Sequence, residues 1–264
     1  MGAAIESVRA PDFQNSYAKY AGKIMEPWTD DLIRQARCQR GDRVLDVACG
    51  PGTVASRVNR VCGANCAVSG IDINESMLKL ARADNSVEWQ LGSAEDLPFE
   101  DCSFDVVLCQ QGLQYFGDRT KAMMEMARVL RPGGRVSLAV WGAIERQPFY
   151  LALEDGFSRF LPEAKNAYEQ AFSLNTVDEL RNLAVSAGLK DARVRFEHRT
   201  IRHPSLKEFV DGFMRGTKVS GLYVVLPIDA QTAFVEHVSG LLSGYVDDGG
   251  MAFPLENHFL TATR

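Results

Sequence analysis

Residues 43–53 have the sequence RVLDVACGPGT, and this stretch decides the fold. A short apolar strand leads into a glycine turn, and an aliphatic helix follows. Gly50 and Gly52 give the backbone freedom where the chain reverses, and they leave no side chain in the way of a ligand. A ligand at this turn would meet the unpaired backbone N–H groups at the start of the helix. The stretch therefore predicts a strand–turn–helix ligand site.

Two acidic residues flank this turn along the chain. Asp46 lies inside the first strand. Asp72 lies near the end of the next apolar run, which has the sequence AVSGIDI at residues 67–73. An acid at the end of a second strand can accept hydrogen bonds from both hydroxyls of a ribose, so we expect an adenosine-bearing cofactor. An acid inside the first strand suits a cofactor with a positive charge and an amino-acid tail, because a carboxylate would repel a pyrophosphate.

The order of the predicted elements indicates a parallel sheet in the first half of the chain. Amphipathic helices on either side of Pro27 cover residues 12–38, and strands then alternate with helices as parallel βαβ units. Capping boxes start helices at Thr176 and Ser205. Pro254 cannot donate to a ladder, so we expect it at the start of the last strand. The predicted strands are 43–49, 67–73, 87–91, 104–109, 135–141, 191–202 and 256–263.

The bulk composition excludes some classes of partner. The chain has 264 residues and a formal net charge of −5, which disfavours a nucleic-acid partner. Its six cysteines do not complete a zinc site, so we predict no bound metal and a reduced, cytoplasmic protein. We predict no signal peptide, and no membrane span because no apolar run reaches about 18 residues.

Five motifs in order resemble one family of enzymes. The sequence is similar to the class I S-adenosylmethionine-dependent methyltransferases, in the group that includes the ubiquinone and menaquinone C-methyltransferases. The resemblance covers residues 40–141 most strongly. The motifs are VLDVACGPG (44–52), GIDIN (70–74), GSAEDLPF (92–99), FDVVLCQQGLQYF (104–116) and RVLRPGGRVSLAVW (128–141).

The resemblance and the element order together predict the architecture. We expect an α/β fold with a Rossmann-like, doubly wound, mostly parallel seven-stranded sheet, an antiparallel last strand and a helical lid. The chain is expected to be a single domain, 1–264. It would comprise an N-terminal helical cover at 1–39, an S-adenosylmethionine-binding core at 40–141, and lid helices with C-terminal strands at 142–264.

The resemblance implies how the glycine turn would hold the cofactor. Asp46, directly or through water, and the backbone at Ala48 and Gly50 would bind the methionine end. Gly52 would keep the loop close to the cofactor. Asp72 would accept hydrogen bonds from the ribose hydroxyls.

The resemblance also implies which residues surround the adenine. Ile73 and Met77 would lie on one side of the ring. Ser93 stands where the family often has an acid, so its hydrogen bond to the adenine amino group would be weaker. In isolation, Met77 would be assigned to the core and Glu95 to a turn. The remaining contacts are expected from Ala94 and Glu95 across the adenine and from Gln110 at the sulfonium.

We expect the methyl acceptor beyond the carboxyl ends of the fourth and fifth strands. The segments 142–172 and 204–228 are rich in aromatic and apolar residues and would form a lid, which indicates a small apolar or aromatic acceptor. The alternative is that these residues only pack the lid against the sheet. The candidate acceptor residues are Gln111, Gln114, Tyr115 and Trp141, with Tyr17 and Tyr20 closing over the cofactor.

The chemistry explains why no catalytic residue can be assigned. A methyl group on a sulfonium is already activated, so the protein needs only to align a nucleophile and exclude water. Two other interpretations stay open, a nicotinamide-dependent oxidoreductase and a binding module that does not transfer methyl. A homodimer through the lid helices or the last strand also stays open. The candidate bases, each expected to be structural, are His198, His203, His237 and His258.

Overall fold

The structure is a computed structural model that describes residues 12–63 and 65–264. The start of the predicted N-terminal cover, where a signal peptide would stand, lies outside the described residues. The described residues divide into two compact units. The smaller unit comprises the residues up to Pro27, Ala143–Glu169 and His198–Glu256. The larger unit comprises Trp28–Gly142, Gln170–Glu197 and Asn257–Arg264.

One mixed sheet of eight strands is formed by the described residues. Its strands are β1 Arg43–Val47, β2 Ala67–Asp72, β3 Glu88–Leu91, β4 Phe104–Gln110, β5 Leu130–Trp141, β6 Lys190–His203, β7 Val246–Asp247 and β8 Gly250–Thr263. The strand order is β3-β2-β1-β4-β5-β8-β6, and β7 pairs with β8 beside this path. Strands β1 to β5 run parallel to one another, and β8 is antiparallel to β5. This confirms the predicted α/β fold.

The two-residue strand β7 is the one strand in this sheet that the sequence did not predict. It pairs through Val246 with Met251 and through Asp247 with Gly250. Two residues are too few to show an alternating pattern, so periodicity could not reveal this strand.

Two helices start where the sequence places a capping box. The Thr176 hydroxyl accepts a hydrogen bond from the Glu179 N–H, and the Ser205 hydroxyl accepts one from the Glu208 N–H, which confirms both predicted starts.

No helix in the described part of the chain is long and apolar enough to cross a bilayer. The helices are α1 Phe13–Ser16, α2 Gly22–Ala36, α3 Thr53–Cys62, α4 Glu75–Ala81, α5 Arg119–Val129, α6 Pro148–Phe160, α7 Val177–Ser186, α8 Leu206–Arg215, α9 Ser220–Val224 and α10 Ile228–Leu241, with a π-helical segment at Tyr17–Ala21.

The core of the larger unit surrounds its central strands. Leu45 of β1 and Val107 of β4 are fully buried, as are Met123 of α5 and Leu260 of β8. Parallel strands covered on both faces are expected to be apolar along most of their length, as β1 and β4 are. This packing fixes the carboxyl ends of β1, β2 and β4, where the predicted ligand residues stand.

The smaller unit has an aromatic core of its own. Phe149 stacks on Phe253 with 4.8 Å between ring centroids and meets Phe213 edge-on at 4.9 Å. Phe209 packs edge-on against Phe149 at 5.4 Å. These rings are buried, so the alternative interpretation of the lid residues, as core packing, holds for them.

Two proline predictions are wrong. Pro254 lies inside β8 and not at its start; the ladder with β5 begins at Asn257 and the ladder with β7 ends at Met251, so neither of these two includes Pro254. Pro27 lies inside α2 and does not separate two helices. A proline removes one intrahelical hydrogen bond, and the full burial of apolar residues such as Trp28 on the same helix offsets this cost.

Candidate active site

The loop after β1 has the unusual backbone that the glycines predicted. The φ angles of Ala48, Gly50 and Gly52 are 57°, 55° and 87°. A side chain on Gly52 would place its Cβ 2.5 Å from the ring of Trp89, whereas one on Gly50 would meet nothing within 4 Å. Gly52 is therefore required for packing as well as for backbone conformation. Ala48 holds a left-handed conformation without being glycine, which is a strain typical of ligand-binding loops.

Asp46 places a buried carboxyl group beneath this loop. Its Oδ2 accepts a hydrogen bond from the Ala55 N–H at 3.0 Å, at the start of α3. Its Oδ1 is buried and has no hydrogen-bond partner among the described residues. The pKa of Asp46 is raised to about 8, chiefly by burial; the Ala55 N–H opposes this rise and the charge of Asp72 adds to it. A buried carboxyl oxygen without a donor fits the positively charged end of S-adenosylmethionine.

Asp72 ties the loops after β1 and β2 together. Its Oδ2 accepts from the Gly50 N–H and its Oδ1 from the Asn74 N–H, both at 2.8 Å. These bonds fix the orientation of the carboxylate and leave one further lone pair on each oxygen for ribose hydroxyls. The Gly50 N–H, which was expected at the methionine end, is engaged by Asp72 in this structure.

Exposed apolar side chains adjoin Asp72. Ile73 is 76% exposed, and Leu91, which pairs opposite Asp72 in the sheet, is 49% exposed. Met77 is half-buried on α4. An apolar surface beside a ribose-binding acid can cover an adenine ring. Leu91 was missed from the sequence, although its place as the last apolar residue of the third strand was a usable signal.

The GSAEDLPF segment holds the neighbouring loop. The Glu95 Oε1 accepts from the N–H groups of Gly117 and Asp118 at 2.9 and 3.0 Å. The Ser93 hydroxyl accepts from the Glu95 N–H at 3.1 Å, and Ala94 packs against the core. Glu95 therefore has an anchoring role that the sequence did not predict.

The end of β4 brings amide side chains to the same edge of the sheet. The Thr29 hydroxyl donates to Gln110 Oε1 at 3.0 Å. Gln111 has a φ of 57°, and its backbone N–H donates to the Ala139 carbonyl at 2.8 Å. A Cβ on Gly112 would lie 2.6 Å from the Ala48 Cβ, so this segment lies against the loop after β1.

Beyond β4, two of the acceptor candidates join one polar cluster. Gln114 Nε2 donates to Gln111 Oε1 at 2.8 Å, and Gln111 Nε2 donates to Asn257 Oδ1 at 3.1 Å. Asn257 was missed from the sequence, where it lies between Glu256 and His258 in a run of polar residues and no local signal distinguishes it. Tyr115 is 43% exposed, whereas Trp141 is buried edge-on against Trp28.

The two N-terminal tyrosines belong to the smaller unit. The Tyr20 hydroxyl donates to Glu208 Oε1 at 2.9 Å, and its ring packs edge-on against Phe209 at 5.9 Å. Tyr17 is half-buried and stacks on Phe13 at 6.1 Å. Within this unit, Tyr20 is an anchor for α8.

The four histidines have structural surroundings in this fold. His203 Nδ1 accepts from the Ser205 N–H at 3.2 Å beside the start of α8. His198 lies 3.3 Å from the Glu256 carboxylate, His237 pairs with Asp155, and His258 is buried in β8.

Comparison with known proteins decides the family. The ubiE/COQ5 methyltransferase family matches residues 11–192, which is more than half of the chain. The chain belongs to this family. The resemblance drawn from the five motifs is thereby confirmed.

Relatives and a solved structure agree with this membership. The 2-phytyl-1,4-beta-naphthoquinone methyltransferase of Arabidopsis thaliana is 32% identical over 184 residues, which cover 62% of this chain and 70% of that protein. The demethylmenaquinone methyltransferase of Staphylococcus haemolyticus is 28% identical over 206 residues, 69% of this chain and 86% of that protein. A phosphoethanolamine N-methyltransferase 2 from Haemonchus contortus, in complex with S-adenosyl-L-methionine, shares the fold with a TM-score of 0.56 at 20% identity, covering 92% of this chain and 57% of that one.

The chain is an S-adenosylmethionine-dependent methyltransferase that acts on a small molecule. Family membership supports this function over a nicotinamide-dependent oxidoreductase and over a module that only binds the cofactor. The buried Oδ1 of Asp46 and the fixed carboxylate of Asp72 suit this cofactor.

Proposed function

We propose that this methyltransferase acts on a quinol and places the methyl group on a ring carbon. The observation that carries the proposal is that both relatives described above are named for quinones and match over most of their length. A quinol ring agrees with the apolar or aromatic acceptor predicted from the sequence. Two hydroxyl groups enrich the ring carbons in electrons, so such a carbon can attack without a strong base nearby.

The proposed step conserves atoms and charge. S-adenosylmethionine supplies an electrophilic methyl group on a sulfonium. A ring carbon of the quinol forms a bond to this methyl, the methyl–sulfur bond breaks, and the ring carbon loses its proton to solvent. The protein aligns the two reactants and excludes water.

We propose that the loops after β1, β2 and β4 bind the cofactor in this reaction. The Asp46 carboxylate would pair with the positively charged end, and Asp72 would accept from the ribose hydroxyls. Ile73 and Leu91 would cover the adenine. The other proposed cofactor residues are Ala48, Gly50, Gly52, Met77, Ser93, Ala94, Glu95 and Gln110, and the proposed acceptor residues are Gln111, Gln114 and Tyr115.

We propose a cytoplasmic location for the enzyme. All six cysteines carry free thiols, as expected in a reducing compartment. The homodimer, the lack of a nucleic-acid partner and the lid role of residues 142–264 stay predictions.

A panel of acceptors tests the proposed function. The purified enzyme is incubated with S-adenosylmethionine and a reduced prenylated naphthoquinone, a reduced prenylated benzoquinone, a catechol or ethanolamine. We expect S-adenosylhomocysteine to form with one or both quinols at a rate well above the other two acceptors. Turnover with the catechol or ethanolamine alone would refute the quinol proposal.

A further inference from the structure

Three amide side chains form a directional hydrogen-bonded chain in the larger unit. Gln114 donates to Gln111 at 2.8 Å, and Gln111 donates to Asn257 at 3.1 Å. Gln114 lies in the turn after β4, and Asn257 lies on β8. Gln114 and Asn257 are fully buried.

At each end of this row of three amides, one polar atom has no hydrogen-bond partner among the described residues. Gln114 Oε1 and Asn257 Nδ2 are buried without a hydrogen bond to any described residue. Turning all three amides end over end keeps both internal hydrogen bonds and still leaves one donor and one acceptor unpaired. Buried amide groups are almost always paired in folded proteins, so two unpaired groups in one chain indicate a ligand.

The three hydrogen-bonded amides lie where the methyl acceptor is expected to bind. Asn257 pairs with Trp141 at the carboxyl end of β5, and Gln111 directly follows β4. Ligands of open α/β sheets bind beyond the carboxyl ends of such strands. The segment that carries Gln111 and Gln114 also touches the cofactor loop, through the close approach of Gly112 to Ala48.

We propose that Asn257, with Gln111 and Gln114, recognises the hydroxyl groups of the methyl acceptor; this inference rests on the proposed function. A quinol carries two hydroxyl groups, and each can donate one hydrogen bond and accept another, so one can donate to the free acceptor on Gln114 while the other accepts from the free donor on Asn257. An acceptor that lacks a hydroxyl leaves a buried amide unpaired and is rejected for that reason. Asn257 is therefore a specificity-determining residue of the last strand.

The test compares two acceptors in two enzymes. The acceptors are a prenylated 1,4-naphthoquinol and the matching naphthol that lacks one hydroxyl. We expect the wild type to prefer the quinol in kcat/KM, and Asn257→Leu to lower kcat/KM for the quinol by roughly 10- to 100-fold with little change for the naphthol. The affinity for S-adenosylhomocysteine should stay within about twofold, since Asn257 is not among the cofactor residues.

Controls separate recognition from folding. Asn175→Leu makes the same change at an amide that donates to the Phe172 carbonyl, outside this chain of amides, and should leave the preference intact. If Asn257→Leu fails to fold, Gln114→Met tests the other end of the chain with the same expected loss of preference. If the variant folds and turns over but still prefers the quinol to the naphthol as the wild type does, this inference is overturned and the proposed function is not. A wild type that methylates neither acceptor overturns the proposed function and this inference with it.

Discussion

The substitution Asp46→Asn should change how the stability of the ligand-free enzyme depends on pH. The amide keeps an oxygen to accept from the Ala55 N–H, but it cannot ionise. The wild-type carboxyl group is buried, which raises its pKa from 3.8 to about 8 in the folded chain. Between these two values the unfolded chain has lost the proton while the folded chain still holds it.

The magnitude follows from this difference in bound protons. Because unfolding releases a proton in this window, the free energy of unfolding of the wild type falls as the pH rises, by about 1.4 kcal/mol per pH unit. The contribution is fully favourable below pH 3.8 and levels off above about pH 8. From about pH 5 to about pH 8 the loss is about 3.5 kcal/mol, and Asp46→Asn should not show it.

Urea unfolding of the ligand-free enzyme at about pH 5 and about pH 8 measures this effect. The difference in unfolding free energy between Asp46→Asn and the wild type should grow in favour of the variant as the pH rises. Asp178→Asn is the control, since its side chain is 86% exposed, and it should follow the wild type. Parallel pH profiles for Asp46→Asn and the wild type would refute the buried, protonated state of Asp46.

Four further substitutions test the loops around the site. Gly52→Ala should cost more than about 2 kcal/mol in urea unfolding, because its Cβ would meet Trp89 at 2.5 Å, whereas Gly50→Ala, in open space, should cost about 1 kcal/mol; equal costs would contradict the packing role of Gly52. Asp72→Asn should weaken S-adenosylhomocysteine binding in calorimetry by about 1 to 3 kcal/mol, and undiminished affinity would remove Asp72 from the cofactor site. Glu95→Gln should lower unfolding free energy by about 1 to 2 kcal/mol, since it weakens two charge-assisted hydrogen bonds to the loop at 117–118; an unchanged stability would show that this anchor is unimportant.

The sequence predicted the features that short segments determine. The glycine loop, the acid at the end of β2 and the parallel strands all follow from local patterns of residue type. Apolar residues and an alternating segment indicated strands after the helical insert, and the antiparallel direction of the last strand was predicted from the family resemblance together with the element order.

Features that depend on distant pairing could not be predicted. Asn257 reaches Gln111 only because β8 lies beside β5 with Asn257 opposite Trp141, and no local pattern sets this register. Similarly, alternation along β5 does not tell which face Trp141 occupies, and its ring packs against Trp28. The Glu95 hydrogen bonds to the loop at 117–118 join segments that are far apart in sequence.

The transfer reaction itself gives the most direct test of the account. The enzyme is incubated with S-adenosylmethionine whose methyl carbon is isotopically labelled and with a reduced prenylated naphthoquinone, and the product is examined by carbon NMR. The account predicts the labelled methyl on a ring carbon, with S-adenosylhomocysteine formed in equal amount. A labelled methyl on oxygen, or no transfer by an enzyme that binds S-adenosylhomocysteine, would contradict it.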